Sequence, residues 1–230
     1  MANSNQSLIC DASSLISLTD SCFVHVFYFL KKRYKGQFII PTSVEYEAVT
    51  HPYQMKMHAL HAIRLKRAIK EKIIDVVDIP LAQKTEEIKW IANNIFSANG
   101  TPIRLLHSGE TEMIALSHEL DIPNLLIDER TTRMLVEDPD SLREHLEHEF
   151  HTTVNVNEEH LMAFLRMTRD LRFFRSSELL LLAYEKGFFS DYEELEKDAV
   201  EASLYKLKYT GCAVGFGEIS EYVAGHIRKV

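Results

Sequence analysis

Short apolar runs, each closed by aspartate or proline, alternate with helix-like stretches along the first half of the chain. Leu8-Ile9-Cys10 ends at Asp11, Phe38-Ile39-Ile40 at Pro41, the segment Ile73 to Ile79 at Pro80, and Leu125-Leu126-Ile127 at Asp128. Runs this short, three of the four continuously apolar, suit strands buried on both faces, and strands of that kind belong to parallel sheets whose crossovers are helices. The intervening segments predict helices from Ser13 to about Ser21 and on through Phe23 to Leu30. Others are predicted over Tyr53–Lys72, with Leu60, Ile63 and Leu65 on its apolar side, Lys84–Ala98, Gly109–Leu120 capped by Ser108, and Arg130–Val136. The expected fold is α/β: three layers, α/β/α, around a central parallel sheet.

After Pro139 the alternation stops. Asp140–Phe150 reads as a charged helix and Thr152–Val156 as an edge strand. The remainder reads as mostly helical, over Glu158–Leu171, Ser176–Lys186, Tyr192–Lys208 and Glu218–Lys229. Residues 1–150 are therefore assigned to the α/β domain and residues 151–230 to a helical C-terminal extension packed on it, within reach of the size range of one domain.

At 230 residues and 46% hydrophobic content the chain can bury a sizeable core. No apolar run approaches the roughly 18 residues of a membrane span. The stretch Met1 to Gln6 carries no basic region and does not read as a signal peptide, so a cytoplasmic location and no membrane partner are expected. Cys10, Cys22 and Cys212 are odd in number and widely spaced, which fits reduced thiols better than a disulfide framework or a zinc site. A net charge of −8 argues against a general polyanion binder, so any nucleic-acid contact must be local or bridged by metal ions.

Four acidic residues stand where strand gives way to helix: Asp11, Glu47, Glu110 and Asp128. Each alone has an ordinary explanation as a helix cap or a first-turn complement to the helix dipole. Together, after strands of one sheet, they would converge on the crevice at the carboxyl ends of those strands. A carboxylate cluster without Cys or His suits Mg²⁺ or Mn²⁺. Such ions could activate a water and offset charge at a phosphoryl group.

The segments Leu8 to Ile16, Ile40 to Glu47, Ser108 to Glu112 and Leu126 to Arg130 resemble, in order, the four acidic motifs of PIN-domain nucleases. The likeness is greatest to the prokaryotic branch with a Gly-Glu third motif and an Asp-Asp or Asp-Glu fourth motif. It spans about residues 7 to 136. The resemblance implies a metal-dependent ribonuclease with Asp11, Glu47, Glu110 and Asp128 as the catalytic, metal-binding set. Glu129 would be a fifth member, and Ser13 would orient Asp11 or a bound water. Whether Glu45 takes the place of Glu47 is left open. The other reading is a catalytically weak RNA-binding or regulatory module on the same fold. A haloacid-dehalogenase-type phosphatase would need a second aspartate where Ser13 stands. Many small prokaryotic PIN proteins are toxins with an antitoxin partner. This chain is longer than that compact type, so an antitoxin-like partner and a homodimer are carried only as candidates.

For RNA binding, Arg64 and Arg67 on a basic helix and Arg130 and Arg133 after the fourth motif are the candidates, each weighed against a solvated face or a local ion pair. His145, His148 and His151 drift around their helix without a zinc signature. His51, His58 and His61 read as locally satisfied. The segment Gly211 to Gly217 lacks the Lys-Ser/Thr of a phosphate loop, and the aromatics from Phe164 to Phe189 read as core.

Overall fold

The computed structural model describes residues 6–226, without the side chain of His226. The N-terminal reading therefore falls largely outside the described residues, as does the end of the helix expected to reach Lys229. Eight strands are present among them: β1 (Leu8–Cys10), β2 (Phe38–Pro41), β3 (Ile74–Val77), β4 (Phe96–Ala98), β5 (Thr101–Pro102), β6 (Asn124–Leu126), β7 (Val154–Val156) and β8 (Arg172–Phe174). Five of them form the central sheet in the order β3-β2-β1-β6-β8. Every pairing in it is parallel, with Leu8 opposite Phe38, Ile9 opposite Leu125 and Leu125 opposite Phe173. Helices cover the sheet, giving the expected α/β/α layering.

Ile9, Cys10, Ile40, Ile74, Leu125 and Leu126 are fully buried, as a sheet covered on both faces requires. From β1 the chain runs to β2 on one side and pairs with β6 on the other, so the order reverses at β1. Crevices for ligands form at such a reversal, beyond the carboxyl ends of the strands, and there Asp11 and Asp128 leave the sheet.

Several expectations are corrected. The helix predicted over Lys84–Ala98 stops at Ala92, and β4 follows; Asn99-Gly100, at φ 51° and 77°, makes a tight hairpin turn into β5. β7 pairs with β4, so the expected edge strand belongs to a separate antiparallel three-stranded sheet. The long helix expected over Tyr53–Lys72 is confined to Ala59–Lys70, and Leu60 and Ile63 on it are solvent-exposed, only Leu65 being buried. The region after 150, expected to be mostly helical beyond its edge strand, also supplies the outer strand β8 of the central sheet. Two of its three residues are exposed, so no apolar run announced it. No single helix among the described residues is long and apolar enough to cross a membrane.

Candidate active site

Asp11 follows β1 and N-caps the helix Ala12–Asp20, its Oδ2 accepting the Ser13 N–H at 3.0 Å and the Ser13 hydroxyl at 2.5 Å. The same hydroxyl accepts the backbone N–H of Asp128 at 3.3 Å. Ser13 thus ties the ends of β1 and β6 together and fixes the Asp11 rotamer. Asp11 is only 4% exposed. Burial pushes its carboxyl up to about 6, against the Ser13 hydrogen bonds, and the nearby Glu110 adds to the rise.

Glu47 reaches the same place from the far side. Its Oε2 and the Asp11 Oδ1 both face Gly109, where a Cβ would lie 3.5 Å from the first and 3.8 Å from the second. Partial burial raises the Glu47 carboxyl, the Asp11 charge raises it further, and His107 pulls it back. Glu45 is turned elsewhere: both its carboxylate oxygens accept from the Thr50 hydroxyl, at 2.9 and 3.1 Å.

Glu110 sits in the first turn of the helix Ser108–Leu120, whose N-cap is His107 rather than the expected Ser108. Its Oε2 accepts the His107 N–H at 2.9 Å. Burial raises this carboxyl too, backbone hydrogen bonds and His107 oppose the rise, and the charge of Glu129 adds to it. Glu129 N-caps the helix Arg130–Glu137 through Thr131 N–H at 2.7 Å and Thr132 N–H at 2.8 Å.

Asp128 is placed differently from expectation. It is fully buried, with Oδ1 accepting the Ser176 N–H at 2.7 Å and Oδ2 accepting the Ser176 hydroxyl. Its carbonyl accepts Ala213 N–H at 3.2 Å. Burial and then the Asp128 charge push the Cys212 thiol up to about 12. The side chain therefore anchors the helix Ser176–Glu185, while the next residue, Glu129, supplies the charge felt at Glu110.

A family model described as PIN domain matches residues 7–140, more than half of the chain. The chain belongs to the PIN-domain family. No curated protein and no solved structure is similar enough to count as a match. The fold is thus of nuclease type, and PIN domains typically use divalent metal ions.

The donor chemistry of this PIN domain fits such an ion. Asp11, Glu47, Glu110 and Glu129 are all-oxygen donors, and among the described residues none of them is in an ion pair with Lys or Arg. Gly109 leaves open the space that a Cβ would fill between Asp11 and Glu47. As the side chains stand, no three His, Cys, Asp or Glu side chains among the described residues are close enough to hold an ion.

A groove of about 700 Å³ opens beside the carboxylates, lined by Thr42, Tyr46, Glu47, His51, Arg104 and His107 among others. Sequence reasoning did not single out Tyr46, Arg104 or His107, and read His51 as locally satisfied. Tyr46 lies within the second acidic motif without being one of its acids, the others belong to no motif, and the groove exists only once two segments meet. Of the four candidate arginines, Arg64 donates to the Thr19 carbonyl at 2.9 Å and Arg67 pairs with Glu71 at 2.8 Å. Arg133 pairs with Glu137 at 3.3 Å, and Arg130 contacts the Met134 sulfur. Arg130 and Arg133 line a second cavity with Arg175 and Lys208. An apolar cavity of about 530 Å³, lined by Leu8, Leu30, Phe38 and Leu179 among others, lies at the opposite ends of the strands, and none of Asp11, Glu47, Glu110, Asp128 and Glu129 lines it. His61 bonds Asp20 at 3.1 Å. The segment Gly211 to Gly217 is a turn between helices that also binds Asp128, and Phe164 and Phe189 are core.

Proposed function

We propose that this PIN domain is a divalent-metal-dependent ribonuclease, with Mg²⁺ or Mn²⁺ as the ion and RNA as its partner. One observation carries the reading: the Asp11 and Glu47 carboxylates both face Gly109, and among the described residues neither is in an ion pair with Lys or Arg. Like charges this close, with raised carboxyls, are stabilised by a bound cation. Asp11, Glu47, Glu110 and Glu129 would hold the ion. When bound, it supplies an activated water and charge compensation at the phosphoryl group.

The chain's own residues have separable tasks. Ser13 keeps Asp11 in one rotamer. The charge of His107 lowers the carboxyls of both Glu47 and Glu110, favouring their ionised forms. Asp128 acts through structure, tying Ser176 and Ala213 beneath the crevice so that Glu129 is presented at its edge. The test is cleavage of a fluorogenic RNA with Mn²⁺, with chelator, and after Mn²⁺ is restored. Full Mn²⁺-dependent activity in Asp11→Asn would refute the assignment.

The second reading, a catalytically weak RNA-binding or regulatory module, is favoured by the engagement of Asp128 with Ser176. Turnover separates the two: such a module binds RNA and releases no product under any metal condition. We further propose a cytoplasmic setting, membership of the branch with Gly-Glu and Asp-Glu motifs, and a homodimer or an antitoxin-like protein as partner.

A further inference from the structure

The helix that carries Glu47 is not regular. Residues Thr42–Glu45 are α-helical, Tyr46–Thr50 form a π-helical turn, and His51–Tyr53 resume the α-helix. The His51 N–H bonds to the Tyr46 carbonyl, five residues back. Pro52 gives the physical reason. In an α-helix it would leave the Ala48 carbonyl without its donor and drive its ring against that carbonyl, and a widened turn just before it relieves the conflict.

In a regular α-helix residues five apart point about 140° away from each other. The wide turn instead sets the Tyr46 and His51 rings side by side, centroids 5.9 Å apart and tilted by 32°. Tyr46 is 57% exposed, and both rings line the groove that contains Glu47. Across the groove stands Arg104, exposed and, among the described residues, in no ion pair. Its segment is braced: the Asn93 Oδ1 accepts Leu105 N–H at 2.7 Å and Leu106 N–H at 2.8 Å, and the Asn93 Nδ2 donates to the Leu106 carbonyl at 3.0 Å.

We infer that Tyr46, His51 and Arg104 form the substrate path beside Glu47: an unpaired base stacks on the Tyr46–His51 pair while Arg104 holds an adjacent phosphate. The inference rests on the ribonuclease reading and deepens it by naming the residues that position the strand. Aromatic faces accept any exposed base, whereas a base within a duplex has both faces covered. An arginine on this braced segment also supplies local positive charge in a chain of net charge −8.

The test uses the full chain and a fluorescent single-stranded RNA of about 12 nucleotides, with Ca²⁺ replacing Mn²⁺ for anisotropy and Mn²⁺ restored for kinetics. Expected is a loss of affinity of about tenfold in Tyr46→Ala, near-native binding in Tyr46→Phe, and in Arg104→Ala weaker binding with a salt slope reduced by about one. In Mn²⁺, Tyr46→Ala should raise KM with kcat little changed. A hairpin duplex of the same length should compete poorly. Wild-type-like binding by both alanine variants, equal competition by the duplex, or no RNA binding by the wild type would each overturn the path. Cleavage that persists in the wild type while both alanine variants match it defeats the path and leaves the ribonuclease reading standing. Loss of binding in the variants with no cleavage by the wild type does the reverse.

Discussion

The Asp128 carboxylate accepts the backbone N–H of Ser176 at 2.7 Å, across 48 positions of sequence, and takes the Ser176 hydroxyl on its other oxygen. This bond holds the helix that follows β8 against the end of β6, whereas the adjacent Glu129 caps the helix Arg130–Glu137.

Asp128→Ala would leave a buried N–H and hydroxyl of Ser176 without acceptors, costing about 2–4 kcal/mol. Glu129→Gln keeps an acceptor at its partly exposed cap and should cost under about 1 kcal/mol while lowering Mn²⁺-dependent cleavage at least about tenfold. Urea unfolding and initial rates on both variants check this. Equal stability losses in the two would contradict the division of labour.

Stability without metal should depend on pH through Asp11, whose folded value of about 6 lies above its ordinary 3.8. A raised carboxyl favours the protonated fold, so its contribution is complete below about pH 4 and is lost as pH rises through about 6. The shift corresponds to about 3 kcal/mol. Asp11→Asn lacks that titration, so its advantage over wild type should widen by about this amount between pH 4 and 7 in chelator. A gap that does not change with pH would count against the buried, uncompensated carboxylate.

Metal should relieve the same strain. At 100 times its dissociation constant, Mn²⁺ adds about 2.7 kcal/mol, or a Tm rise of about 5–10 °C. Gly109→Ala places a methyl at ordinary contact distance from Glu47 and Asp11, and suits a helix better than glycine. That variant should melt at or slightly above the wild-type temperature in chelator, yet lose most of the Mn²⁺-induced rise and the cleavage. A full Mn²⁺ response in Gly109→Ala would place the ion elsewhere.

Arg175 binds the last helix to the sheet. It is buried and donates to Glu178, Glu218, the Ala213 carbonyl and the Tyr222 hydroxyl, at 2.6 to 3.1 Å. Burial works against its charge, but the two carboxylates more than offset this and hold the guanidinium firmly ionised. Arg175→Met should cost about 3 kcal/mol and open the segment Phe216–His226 to proteolysis before the rest of the chain unfolds. Simultaneous digestion of the whole chain would refute the local role.

Local sequence determined the elements whose signals are local. The apolar runs at Leu8, Phe38 and Leu125, each cut off by Asp or Pro, specified buried parallel strands, because the alternative of a half-buried strand would expose every second residue. The same runs placed Asp11 at the crevice, and the chain's spacing put Glu110 in the first turn of its helix and Glu47 in the π-helical turn just beyond the first turn after β2. Long-range contacts decided the rest. β8 became a strand because β6 lent it a hydrogen-bonding edge, although Arg172 and Phe174 stay exposed. Asp128 became an anchor because Ser176 arrived beside it, while Glu129 caps the next helix through Thr131 and Thr132 N–H. The groove of Tyr46, His51 and Arg104 needed two segments, 42–51 and 104–109, to be brought face to face. Adjacent acidic residues look alike in a linear chain; they differ by which partner the fold delivers to each carboxylate.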